Sequence, residues 1–107
     1  MTINLRKSEA KEPFSFIFVN AEGKTIIKSE NYAQKASAKN GIESVKKNCQ
    51  EDSRYELKES SNGKAFFNIK STNGQIVGTS ALFEDEAQRS AAIAELKADS
   101  ADAEVTE

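Results

Sequence analysis

Histidine and tryptophan are absent from this chain of 107 residues, and cysteine, methionine and proline occur once each. Without histidine there is no His-based triad, no Cys–His nucleophile and almost no route to an ordinary zinc site. A single cysteine, Cys49, excludes an internal disulfide framework and fits a reducing compartment. Neither sign of charge dominates: fifteen Lys and Arg stand against seventeen Asp and Glu, net −2, so no global basic field advertises nucleic acid. The longest apolar run of note, Phe16-Ile17-Phe18-Val19, is far short of the ~20 residues that a membrane helix needs. Residues 1–7 show no apolar core of a secretory signal, and neither end carries a lipidation motif. The expected location is the cytoplasm, with no membrane partner.

What is present suffices for one core. Hydrophobic residues make up 37% of the chain, and the length allows one domain or two very small ones. Charge is uneven: residues 1–50 carry net +4 and residues 51–107 carry net −6. Such asymmetry fits either a basic binding half with an acidic tail or two halves that attract one another.

An internal repeat organises the chain. Shifted by 51 positions, Phe16 falls on Phe67, Gly23 on Gly74, Ile26 on Val77, Ser29 on Ser80 and Tyr32 on Phe83. Further on, Ala36 meets Ala87, Ile42 meets Ile93, Val45 meets Leu96 and Lys46 meets Lys97, with no gap. Each unit reads as strands followed by a helix. Phe14, Phe16 and Phe18 alternate with Ser15, Ile17 and Val19 at the period of a strand. A turn at Ala21-Glu22-Gly23 leads into Thr25–Ser29, and Asn73-Gly74 joins Ala65–Ile69 to Gln75–Thr79. An Asn-Gly pair in a two-residue hairpin predicts positive φ at both residues. Tyr55–Lys58 joins the second unit through Asn62-Gly63, and Ile3–Arg6 is its counterpart in the first.

The helices follow. Ala38, Ile42, Val45 and Cys49 form one stripe at helical period, and Ile93 with Leu96 continues it in the second unit. Asp85 and Gln88 make a capping box, and Glu84 and Glu86 at the same end suit the helix dipole. The predicted fold is α+β: two tandem β-β-β-α repeats, about 2–49 and 53–99, forming one six-stranded antiparallel sheet with two helices packed on one face. Residues 1–99 are one pseudo-symmetric domain, and 100–107 read as a flexible acidic tail. Opposite charges on the two helices, side by side, would be matched within the molecule.

The most distinctive stretch is Tyr32-Ala33-Gln34-Lys35-Ala36-Ser37-Ala38-Lys39-Asn40-Gly41-Ile42-Glu43-Ser44-Val45-Lys46-Lys47-Asn48. It resembles the signature of the YegP-like family, small bacterial proteins of unknown function, and the resemblance covers roughly residues 2–99. It implies two units sharing one antiparallel sheet, and single-unit members that pair as dimers. It implies no activity. Two departures stand out: Gln34 occupies a position where Ser or Thr would cap the helix, and Ala91-Ala92 replace the Asn40-Gly41 pair in the second unit.

No residue set proposes catalysis, a metal or a cofactor. Cys49 at a helix C-terminus reads as a structural thiol, and Glu84, Asp85 and Glu86 as dipole complements. Gly41 inside a helical pattern reads first as a close approach, while an exposed Asn40 beside it is a candidate recognition point. Lys35, Lys39 and Lys46 on one flank of the first helix are candidates for weak single-stranded nucleic-acid binding, though no aromatic ladder accompanies them. Ile17, Val19 and Phe66 point away from the helices and would form an apolar patch on the uncovered sheet face. The leading expectation is a non-enzymatic module that binds a protein partner, as a monomer or weak homodimer.

Overall fold

A computed structural model describes all of residues 1–107. The first unit places β1 (Thr2–Lys7), β2 (Phe14–Val19), β3 (Thr25–Lys28) and α1 (Lys35–Asn48) in order. A short 3-10 turn at Asp52–Arg54 leads to the second, with β4 (Tyr55–Glu59), β5 (Ala65–Lys70), β6 (Ile76–Ser80) and α2 (Glu86–Asp99). A last strand, β7 (Glu104–Thr106), follows. The strands form one sheet in the order β4-β5-β6-β3-β2-β1-β7. Each unit is thus a meander, and the two meanders join antiparallel at β3 and β6. There Lys28 pairs with Thr79, its own repeat counterpart, so a pseudo-twofold axis runs through the centre of the sheet.

Alternation decides which side chains fill the core. Ile3, Phe16, Phe18, Phe67 and Ile69 are fully buried on the helix side, against Ile42 and Val45 of α1 and Leu96 of α2. Helix α1 lies over β2, β5 and β6, and α2 over β5. Both units carry the same bulge: Ile26 is the extra residue opposite the Phe18–Val19 step, and Val77 opposite the Ile69–Lys70 step. Where β3 and β6 end, a serine hydroxyl enters the ladder. Ser29 Oγ accepts the Phe16 N–H at 2.9 Å and donates to the Glu30 carbonyl at 2.7 Å. Ser80 Oγ accepts from Phe67 at 2.9 Å and donates to Ala81 at 2.8 Å. These hydroxyls satisfy backbone groups that the departing strand leaves behind.

Three expectations need correction. The hairpin turns are not two-residue loops with positive φ at Asn and Gly, because no residue other than glycine has positive φ. Each is a longer loop in which only Gly23, Gly63 or Gly74 is left-handed. In the first, the Gly23 N–H bonds the Asn20 carbonyl at 3.0 Å and the Asn20 N–H bonds that of Lys24 at 2.9 Å. Residues 100–107 are not a frayed tail. Ser100 and Ala103 are buried, and β7 pairs parallel with β1, Ile3 opposite Val105. The sheet is therefore mixed and seven-stranded. The backbone of β1 would otherwise present a bare edge, and β7 satisfies it.

The helices do not neutralise one another. No ion pair joins α1 to α2; Lys35 and Lys39 reach Glu107, at 4.0 Å for Lys39, while Lys97 binds Asp52 and Lys64 binds Glu84. Charge matching runs from each helix to loops and the last strand. At their C-terminal ends the helices do meet: Cys49 Sγ and Ser100 Oγ, 51 positions apart, lie 3.1 Å from each other on the pseudo-twofold axis.

Candidate functional site

Because both helices cover one face, the other face of seven strands is open. Strand pairing sets a single row of side chains across its full width. Glu56 stands opposite Asn68, Asn68 opposite Thr79, and Thr79 opposite Lys28. The row continues through Ile17 and Asn4 to Thr106. Its two ends are tied by hydrogen bonds. Asn68 Nδ2 donates to Glu56 Oε1 at 3.1 Å, and Thr79 Oγ1 donates to Asn68 Oδ1 at 2.8 Å. At the other end Thr106 Oγ1 donates to Asn4 Oδ1 at 2.6 Å. Both amide groups are thus oriented before anything binds.

Charge on this face is positive on balance. Lys70 Nζ holds Glu56 at 2.8 Å and Lys58 Nζ approaches it at 3.9 Å. The hydrogen bonds from Lys70 and Asn68, with the nearby Lys58 charge, hold the Glu56 carboxyl below the usual carboxylate range. Lys28, at the axis, has no ion pair, and Arg6 lies in the same set of outward positions on β1.

The apolar patch expected here is not formed. Ile17 is only 9% exposed, between Asn4 and Lys28. Val19 and Phe66 are half-buried, and Phe66 stands beside Lys58 on β5. Strands β6 and β3 separate β5 from β2, so Phe66 and Ile17 are about 14 Å apart across the sheet. Lys28 and Thr79 occupy the space between. The row through Glu56, Asn68, Thr79 and Lys28 depends on strand order, which periodicity along the chain does not carry. A polar Asn68 flanked by Phe67 and Ile69 in a strand was the available signal.

The candidate residues of α1 are also placed differently from their expected roles. Lys35 and Lys39 engage Glu107, and Lys46 Nζ donates to the Ala103 carbonyl at 3.3 Å. The basic flank is thereby occupied by the last strand and its flanks. The Lys35 ammonium lowers the Glu107 carboxyl in turn. Asn40 is exposed and faces a shallow polar groove with Lys47, Ser71 and Thr72. Its neighbour Gly41 is a close approach: a Cβ there would lie 2.5 Å from the Tyr32 hydroxyl and 3.0 Å from Phe16 Cε2. In the second unit Phe83 lacks that hydroxyl, and Ala92 replaces the glycine. Gln34 makes no side-chain cap, whereas Asp85 caps α2 by accepting from the Gln88 N–H at 2.9 Å.

Cys49 is fully buried, and burial pushes its thiol up despite hydrogen bonds from Ser100 and Gln50. Tyr55 donates its hydroxyl to the Cys49 carbonyl at 2.7 Å and is raised by the same desolvation.

A doubled α+β unit with one open sheet face defines a class of small tandem-repeat proteins. Residues 10–56 and 60–107 each match the Domain of unknown function (DUF1508). The matched unit runs from β2 or β5 through the helix into β4 or β7, and by the 51-residue shift β7 falls on residues 53–55, the end of the 3-10 turn and the first residue of β4. The chain belongs to the UPF0339 family, the YegP-like proteins of unknown function. It is similar to the UPF0339 protein YegP of Escherichia coli K12, 44% identical over 85 residues, 79% of this chain and 77% of that one. A UPF0339 protein from the ptx operon 5′ region of Stutzerimonas stutzeri is 42% identical over 106 residues, 99% of this chain and 95% of its own. The solution structure of the Escherichia coli protein of unknown function yegP superposes with a TM-score of 0.89 at 39% identity, covering 98% of this chain and 90% of that one. A UPF0339 protein of Shewanella oneidensis gives 0.89 at 33% identity, with 98% and 88% covered.

Proposed function

We propose that the protein is a non-enzymatic cytoplasmic interaction module that docks a protein partner on its uncovered sheet face. The observation that carries this reading is the tied polar row: Glu56, Asn68 and Thr79 are held in one hydrogen-bonded chain on a face that no element covers. Ordering polar groups in advance lowers the entropy cost of binding. With Lys28 unpaired at the centre and Lys58, Lys70 and Arg6 around it, the face suits a polar partner surface bearing carboxylates. No helix is long and apolar enough to cross a membrane.

A photocrosslinking side chain placed at Lys28 and, separately, at Lys47 on the helix side tests it. The Lys28 position should capture one protein in cells, and Phe66→Asp in the same chain should abolish that capture while the fold persists. Identical crosslinks from both positions, or no capture at Lys28, would show that the open face docks nothing.

A further inference from the structure

The pseudo-twofold axis produces two related grooves on the helix side, and their chemistry differs. The groove beside α1 is lined by no apolar residue; Asn40, Ser44 and Lys47 are among its walls. The groove beside α2 has a volume of about 500 Å³ and an apolar floor. Ile26, Leu82, Phe83 and Ala91 line it, and Leu82 is 55% exposed with nothing over it. By the 51-residue shift, Leu82 stands where the first unit has Asn31, and Ala91 where it has Asn40. One backbone shape has been made polar in one half and apolar in the other.

The rim is acidic. Glu22 projects from the β2–β3 turn, Glu84 from the bend just before α2 and Glu95 from the helix itself, with Lys24 the one cation in the lining. Lys64 pairs with Glu84 from outside, whereas Glu22 and Glu95 have no ion pair. By the same shift, Asn73 of the second unit and Ser44 of the first stand at the positions related to these two carboxylates. The distinctive acids and the distinctive apolar floor therefore coincide in the same groove.

The geometry points to a docking site for an arginine side chain on a protein partner. Its aliphatic stem would lie along Leu82 and Ala91, and its guanidinium would meet the unpaired carboxylates of Glu22 and Glu95. An aliphatic ligand without charge would leave both carboxylates unanswered, and a simple cation would leave the floor wet. This site lies on the helix side and is independent of the open face.

Amide shifts of the full chain provide the test, with a capped pentapeptide carrying one arginine between two leucines as the probe. At low salt it should move the amides of Leu82, Ala91 and Glu95 and leave Lys28 and Asn68 still. Glu22→Gln with Glu95→Gln should weaken binding at least about tenfold, ~1.4 kcal/mol, and Leu82→Ser should weaken it too. A peptide with glutamate in place of arginine should produce no shifts there. No shifts with the arginine peptide, equal shifts from both peptides, or unchanged affinity in the Gln double variant would each overturn the proposal. Since these amides are remote from the open face, failure here leaves the Lys28 crosslinking result unaffected, and the reverse holds as well.

Discussion

Tyr32 and Gly41 form a lock that can be opened by mutation. An alanine methyl at position 41 would lie 2.5 Å from the Tyr32 oxygen and 2.9 Å from Cζ, well inside contact distance. The ring cannot swing freely, because it stacks on Phe16 with centroids 6.3 Å apart and planes at 10°. Gly41→Ala gains about 1 kcal/mol of helix propensity and loses about 1–3 kcal/mol to overpacking. The single variant should therefore be neutral to ~2 kcal/mol less stable. Tyr32→Phe alone should cost little, since the hydroxyl makes no hydrogen bond to protein. Combined, the two reproduce the Phe83 and Ala92 pair of the second unit, where Phe67 and Phe83 stack with centroids 6.4 Å apart. The double variant should recover at least part of the loss, because only the hydroxyl contact is removed and Cζ, 2.9 Å away, must still give slightly; the coupling should be about 1–2 kcal/mol. Urea unfolding of all four proteins measures it. Additive effects within about 0.5 kcal/mol would refute the lock. The mirror cycle, Phe83→Tyr rescued by Ala92→Gly, should show a coupling of the same sign.

Three further outcomes are expected. Ser29→Ala and Ser80→Ala each strip a buried N–H of its acceptor, so each should cost about 1–3 kcal/mol in chemical unfolding; a loss under ~0.3 kcal/mol at both sites would show the hydroxyls to be dispensable. The Glu56 carboxyl should titrate below the ordinary glutamate range by carbon-13 NMR, and Lys70→Met should raise it. Because its folded pKa is lowered, its stabilising contribution is complete above the ordinary range and disappears as pH falls through the folded value; an unchanged midpoint in Lys70→Met would contradict the assignment. Cys49 should react with a thiol reagent only on opening of the fold, since burial keeps the thiol protonated at neutral pH; labelling of the native protein as fast as of the urea-unfolded chain would contradict its burial.

The repeat was legible because its core positions match at a fixed spacing, and from it the meanders, the helices and the single covered face followed. Register was less legible. Alternation puts Ile17, Val19 and Phe66 on the face away from the helices, but it says nothing about which strand lies next to which. With β6 and β3 intervening, Lys28 and Thr79 break the patch. The last strand was hidden for a different reason. Glu104–Thr106 is too short and too polar to signal a strand by itself, and it is one only because β1 offers an unfilled edge. The acids around Leu82 come from a turn, the bend before α2 and the middle of α2, so no spacing along the chain brings them together.

The axis through the sheet has an evolutionary consequence. It is the one place where a doubled unit meets itself, and there the counterparts have ceased to be alike. A Cβ on Gly78 would lie 2.7 Å from the Cγ2 of Ile27, its own repeat mate; Lys28 faces Thr79, and Cys49 faces Ser100. Two copies of the first half would set isoleucine against isoleucine and lysine against lysine across that line. Two identical subunits must wear the same face at their axis, but a fused chain is free of that rule. Gly78 leaves room for Ile27, so the seam depends on the two halves being different, which only a fused chain can guarantee.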